Sequence, residues 1–305
     1  MAIAFDRMEK PLRRLRKLLR KLPANPAPAA VHKLRTRARQ VEAIAMVLPP
    51  CGEKRARRLL KSIQSLRRAA GGVRDMDVLA GLARTLPLEI QREAVTCLID
   101  PIESHLDASR KKYAAELAEM LERRRKTTRE HLRLYAKQLQ RAKVSASVER
   151  HAEQQAQSLA THLAAELERW PALTAGNLHA FRLKVKELRS VLQLSNGSDR
   201  AVIDALGAAK DAIGAWHDWQ LLYEAAAELP ATQLMGGRQD RDLLAGIEAA
   251  ADEKLRAALS AAGTLRSQYF ERAAQHLAER PRKKPPTSER PAAGHALTGR
   301  PNRAA

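Results

Sequence analysis

The sequence predicts an all-α protein built as two antiparallel helix bundles related by a pseudo-twofold internal repeat. Three observations carry that prediction. Apolar residues recur at i+3 and i+4 along most of the chain, the pattern of helices with one buried stripe. Sustained two-residue alternation, and β-rich runs joined by Asn-Gly or Asp-Gly, are absent. Two motifs also occur twice, in the same order. The first is Val31-His32-Lys33-Leu34-Arg35-Thr36-Arg37-Ala38-Arg39, which returns as Leu178-His179-Ala180-Phe181-Arg182-Leu183-Lys184-Val185-Lys186. The second sets a glycine four residues before an aspartate and a cation eight before it: Arg67, Gly71 and Asp75, then Lys210, Gly214 and Asp218.

Taken in order, Phe5, Met8, Leu12, Leu15, Leu19 and Leu22 keep helical spacing over 4–22, with Arg and Lys on the other faces. The stretch from Pro23 to Pro28 ends that helix. The first histidine motif forms a second helix that stops at Pro49-Pro50. A third runs over about 53–70, and Gly71-Gly72 reads as a break that opens a further apolar helix. Helical pattern continues over about 88–143, with a kink or restart at Pro101. A second pass begins at Ser145, with a helix to Trp170 that Pro171 closes. The second histidine motif and a turn from Ser195 to Asp199 come next, and Asp199 caps a helix through Trp216-His217-Asp218-Trp219. After Gly236-Gly237, two more helical runs reach about Leu277. The expected organisation is one domain, 1–279, of two repeats at about 4–143 and 147–279, followed by a basic disordered tail at 280–305.

Composition narrows the partners. Among 305 residues, 55 Lys and Arg stand against 34 Asp and Glu, a formal charge of +21. Such an excess destabilises a compact chain by self-repulsion and points to a polyanionic partner. Aromatic residues are only 3% of the chain, which weighs against stacking on single-stranded bases and leaves duplex DNA open. Cys51 and Cys97 are far apart, so neither a disulfide framework nor a zinc knuckle is indicated, and a reducing cytoplasm fits. No apolar run approaches the ~18 residues of a membrane span, and charge interrupts the N-terminal leucines too often for a signal peptide.

On a helix, positions i, i+3 and i+7 share a face, so His32, Arg35 and Arg39 form one row and His179, Arg182 and Lys186 another, with Arg189 a turn beyond. Beside them run apolar stripes, Val31, Leu34, Ala38, Val41 and Ala45 in one copy and Leu178, Phe181, Val185, Leu188 and Leu192 in the other. One such row is ordinarily a solvated face. Its duplication raises the expectation of two rows lining a shared cleft. Cations packed within a Debye length of ~8 Å repel one another unless a counter-anion lies between them. Guanidinium groups grip phosphate oxygens in pairs, and Lys adds a point charge. Arg37, Arg58, Lys61 and Lys184 are secondary candidates.

Neither histidine has a second His, Cys, Asp or Glu at i+3 or i+4, so a hydrogen bond to a carbonyl, an Asp or a phosphate is favoured over a metal site. No Ser or Cys nucleophile accompanies them, which weighs against catalysis. Asp75, Asp77 and Asp218, read at glycine-opened turns, are expected to cap helices or orient basic side chains. Trp216 and Trp219 are expected in the core or an interface.

The duplicated H-x-x-R-x-x-x-K/R helix, the run Gly72-Val73-Arg74-Asp75-Met76-Asp77-Val78, and Leu206-Gly207 with Trp216-His217-Asp218 resemble the CHAD family, the conserved histidine α-helical domain, over most of 4–279. The resemblance implies two four-helix bundles with a basic central surface that binds long-chain inorganic polyphosphate. It also implies a cytoplasmic protein on polyphosphate granules, with granule proteins as further partners and no cofactor. By position, the implied binding residues are Arg35, Arg39 and Arg67, then Arg182, Lys186, Arg189 and Lys210, with His32 and His179 opening the rows. Gln40 and Glu42 depart from the pattern, and Glu42 stands at the position matching Arg189. No E-x-E-x-K segment is present, so triphosphate hydrolysis is not implied. Two other readings remain open: a nucleic-acid-compacting protein that uses total charge and the tail, and a metal-dependent phosphohydrolase built on the histidines and aspartates.

Overall fold

The computed structural model describes residues 2–3, 5–86, 96–196, 198–229 and 238–270. Among the described residues the protein is all-α, with helices α1 (Phe5–Lys21), α2 (Pro28–Val47), α3 (Glu53–Ala83), α4 (Thr96–Ala142), α5 (Ala146–Glu168), α6 (Ala175–Leu192), α7 (Arg200–Ala227) and α8 (Arg238–Leu265). The last continues into a π-helical turn, Arg266–Phe270. Helix α1 packs on α2 and α4, α2 on α3, and α3 on α4, which closes a ring of four. Helices α5 to α8 close a second ring in the same order, with the π turn completing the contact to α5. The rings meet where α2 packs on α5 and α6 and where α3 packs on α7.

The apolar stripes cause this arrangement. Val31, Leu34, Ala38 and Val41 on α2, and Leu178, Phe181, Val185 and Leu188 on α6, are all buried in one core that runs through both rings. Each large side chain so buried contributes about 1.5–3 kcal/mol relative to exposure. A second core gathers Leu79, Ile102 and Leu106 with Trp219, Leu222, Leu243 and Ile247, where the ends of α3, α4, α7 and α8 converge. Trp216 is buried in the first core and Trp219 in the second, so both are packing residues.

Several local expectations are corrected. Gly71 and Gly72 do not break the chain, because α3 passes through them uninterrupted. A helix-interior glycine costs only about 1 kcal/mol against alanine, and here neighbours need the space. A Cβ at Gly71 would come 2.6 Å from Nη1 of Arg35, and one at Gly72 would come 2.6 Å from the Tyr113 ring. Asp75, Asp77 and Asp218 therefore lie inside helices and cap nothing. Asp199 does cap α7, accepting from the Ala201 N–H at 2.8 Å. Helix α4 runs through Pro101 without a restart. The missing N–H costs a single i→i−4 bond, which the remaining turns of a 47-residue helix outweigh.

A two-residue antiparallel ladder, unforeseen by any periodicity, pairs Ala2 with Asn196 and Ile3 with Ser195. Arg7 reinforces it by donating to the Ser195 carbonyl at 2.8 Å, which ties the start of α1 to the second ring. The Gly236-Gly237 break, the helical run expected after 270 and the tail at 280–305 lie outside the described residues.

Candidate anion-binding cleft

The apolar stripes of α2 and α6 place the two histidine motifs side by side at the seam between the rings. Each central arginine rests over a glycine of the next helix, Arg35 over Gly71 and Arg182 over Gly214, because only a residue without Cβ leaves room for a guanidinium there. Arg182 Nε donates to the Lys210 carbonyl at 3.0 Å, and Arg35 Nη1 lies 3.9 Å from Asp75 Oδ1.

Electrostatics show that the rows converge. Burial pushes the Asp75 carboxyl above its ordinary range, against the pull of Arg35 and Arg74 from its own half and of Lys186 and Arg182 from the other. Burial likewise raises Asp218, against Arg182, Arg74 and Lys186, and the nearby Asp75 raises it further. On the cations, burial depresses Arg39 to about 10, helped by repulsion from Arg35, Arg67 and Arg182. Burial drives Lys186 down to about 6, with Arg182, Arg39, Arg35 and Lys210 adding to the effect. His217 falls to about 4 through burial and then through His179, Arg182 and Lys186. His32 and His179 are lowered by burial first and by the surrounding cations second. The seam is a cluster of positive groups, partly withdrawn from water, that resist carrying charge in one another's company.

The histidines make few internal contacts. The rings of His179 and His217 lie 4.3 Å apart by centroid, and His179 Nδ1 is buried with no hydrogen-bond partner. His32 Nε2 sits 3.5 Å from the Thr36 hydroxyl. Among the described residues, no group of three His, Cys, Asp or Glu side chains is placed to hold a metal ion, and no helix is long and apolar enough to cross a membrane.

The seam thus gathers His32, Arg35, Arg39, Arg67, His179, Arg182, Lys186 and Lys210 around Asp75 and Asp218. Arg67 is nevertheless not a free arm. Its Nε lies 2.9 Å from both oxygens of Glu42, and that carboxylate stands where the second half has Arg189. Lys210 pairs with its neighbour Asp211. Arg189 leaves the row, lying along Gly207 and donating to the Ile203 carbonyl at 3.1 Å.

Of the secondary candidates, Arg37 bonds Gln40 at 2.6 Å and lines a separate groove with Arg7, Lys10 and Arg14. Lys184 pairs with Glu166 at 3.0 Å. Arg58 and Lys61 are exposed on α3, with Arg58 half a turn around the helix from Arg67. Asp77 does not orient the cleft. It binds Arg110 Nε at 2.7 Å, and that guanidinium also reaches Asn25 Oδ1 and the Pro26 carbonyl, so the network fastens α3 to α4 and to the proline-rich connection.

Sequence reasoning missed Arg74 and His217 as members of the cluster. They hold matching positions, each immediately before the aspartate, and Arg74 stands at i+7 from Arg67 on one helix face, a signal that was available. No curated protein matches the chain. The family model of the CHAD domain matches residues 6–227, from the first turn of α1 to the end of α7. The chain belongs to the CHAD domain family.

Proposed function

We propose that this protein binds long-chain linear inorganic polyphosphate across the α2–α6 seam, without chemical turnover, as a cytoplasmic component of polyphosphate granules. The observation that carries this reading is the half-buried, mutually repelling set formed by Arg35 and Arg39 with Arg182 and Lys186. A monovalent anion relieves little of that repulsion. A polymer with negative charge on every unit engages both rows at once, and guanidinium groups meet its oxygens in pairs. Family membership supports the same ligand class.

The test is equilibrium titration with long-chain polyphosphate, comparing wild type with a combined Arg35→Glu, Arg39→Glu, Arg182→Glu and Lys186→Glu variant. Affinity should fall by about a hundredfold or more, since four charge-assisted contacts are reversed. It should also fall steeply with added salt in the wild type. Unchanged affinity rejects the site. Duplex DNA that displaces the polymer at equal phosphate concentration rejects the preference. Phosphate release in the presence of Mg²⁺ or Mn²⁺ rejects the absence of turnover.

A further inference from the structure

The four-membered first ring has a side opposite α2 and α3, where α1 and α4 pack together and leave a groove of about 730 Å³. Arg13, Arg16, Lys17 and Arg20 line it from α1, and Lys126, Arg129 and Arg133 from α4. Glu130 is the single carboxylate of its lining, and Arg133 already holds both oxygens at 2.8 and 2.5 Å. Arg13 lies 3.3 Å from Glu9. Among the described residues Arg16, Lys17, Arg20, Lys126 and Arg129 have no ion-pair partner, and Arg129 Nε is buried without an acceptor.

The corresponding part of the second ring is not basic. Helix α1 carries eight Lys and Arg against Asp6 and Glu9, whereas α5 carries Arg150 against Glu149, Glu153, Glu166 and Glu168. Arg266, at the π turn that meets α5, donates to the Pro171 and Glu168 carbonyls. The groove is therefore not a by-product of the repeated motif, and its unpaired cations repel across a narrow gap unless an anion lies between them.

The geometry selects the anion. Phe5, Met8, Leu12, Leu15 and Leu19 of α1 are buried, so no apolar wedge is left for a bilayer. The lining holds no aromatic ring on which a base could stack. Adjacent helices with axes roughly 8–10 Å apart leave a furrow for one thin strand, while a duplex would touch only its rims.

We propose that the α1–α4 groove is a second, separate site for a strand of linear polyphosphate, so that one molecule joins two polymer strands. This rests on the reading that the central cleft takes the same polymer.

The experiment measures stoichiometry on the full chain, using a polyphosphate too short to reach both sites. The outer variant combines Arg16→Gln, Lys17→Gln, Arg20→Gln and Lys126→Gln, and the central variant is the fourfold Glu substitution above. Each should bind one equivalent fewer than wild type. The outer variant should also lose the light scattering that long chains produce by cross-linking wild-type molecules. Arg16→Lys with Arg20→Lys should keep both equivalents, which separates lost charge from lost structure.

Wild-type stoichiometry in the outer variant overturns the proposal. So does a loss confined to duplex DNA or to phosphatidylserine vesicles. Should the outer variant alone lose an equivalent and the central variant none, the bridge is overturned together with the central assignment. Should the central variant alone lose one, the central cleft stands without the bridge.

Discussion

The two walls of the cleft carry the same motif and hold their charges differently. In the first half, Glu42 clasps Arg67 and Asp75 lies near Arg35, so counter-charges stand beside the guanidinium groups. In the second, Arg182 donates to a backbone carbonyl with Asp218 nearby, and burial first and the surrounding cations second lower Lys186 to about 6. Arg39, at about 10, stays charged near neutral pH, whereas Lys186 largely does not. The duplication preserves Asp75 and Asp218, but Glu42, which holds Arg67, stands where the second half has Arg189. The anchors differ too, for Asp77 binds Arg110 while its positional counterpart, Gln220, meets only Glu224 at 3.2 Å on the surface.

The anchor difference predicts the largest effect. The Asp77 side chain is 3% exposed, and its removal takes away the counter-charge of Arg110, so Asp77→Ala should cost about 3 kcal/mol in denaturant unfolding. Gln220→Ala should stay within about 0.5 kcal/mol, and equal losses would break the comparison.

The next contrast is in pH. Between about 6 and the ordinary 10.5 of a lysine, the unfolded chain holds the Lys186 proton and the folded chain does not, so stability rises with pH across that window. A bound polyanion restores the charge and binding takes up a proton. Affinity should therefore fall as pH climbs above about 6, by at most about tenfold per pH unit. Titrations at about pH 6 and about pH 8 should show the slope in wild type and a flatter one in Lys186→Arg.

Glu42→Gln should lower stability by about 1–2 kcal/mol, because a half-buried charge-assisted pair is lost. It should also raise polymer affinity severalfold by freeing Arg67, and weaker binding would show that Glu42 positions that arginine for the ligand. The smallest effect belongs to the glycines. Gly71→Ala and Gly214→Ala should each change stability by less than about 1 kcal/mol, since helix propensity offsets a displaced guanidinium. Each should weaken binding a few-fold, and a difference between them would rank the two walls.

Much of the fold was legible because burial imprints a period on the sequence. The stripe of α2 follows it from Val31 to Ala45 and that of α6 from Leu178 to Leu188, where Val191 is buried in place of the expected Leu192, and Asp199 announced the start of α7. The glycines misled because local propensity speaks for a break, while their actual role, making room for Arg35 and Tyr113, is set by other helices. The rows themselves were readable, since His32, Arg35 and Arg39 share a face by spacing alone. Partners brought by tertiary packing were not. Glu42 meets Arg67 from a neighbouring helix, Lys184 turns to Glu166, and Arg189 follows Gly207 away from its row, none of which leaves a periodic trace.

Helix α4 is 47 residues long, and its beginning reaches past the first ring into the core shared with α7 and α8. It acts as a strut of about 70 Å. Among the described residues, α2 against α6 at one place and this strut against α7 at another tie the two rings together at separate points. On the proposed reading, a polymer bound at the seam lies between two walls tied together at both places and is laid along them unit by unit, instead of being seized by closing jaws.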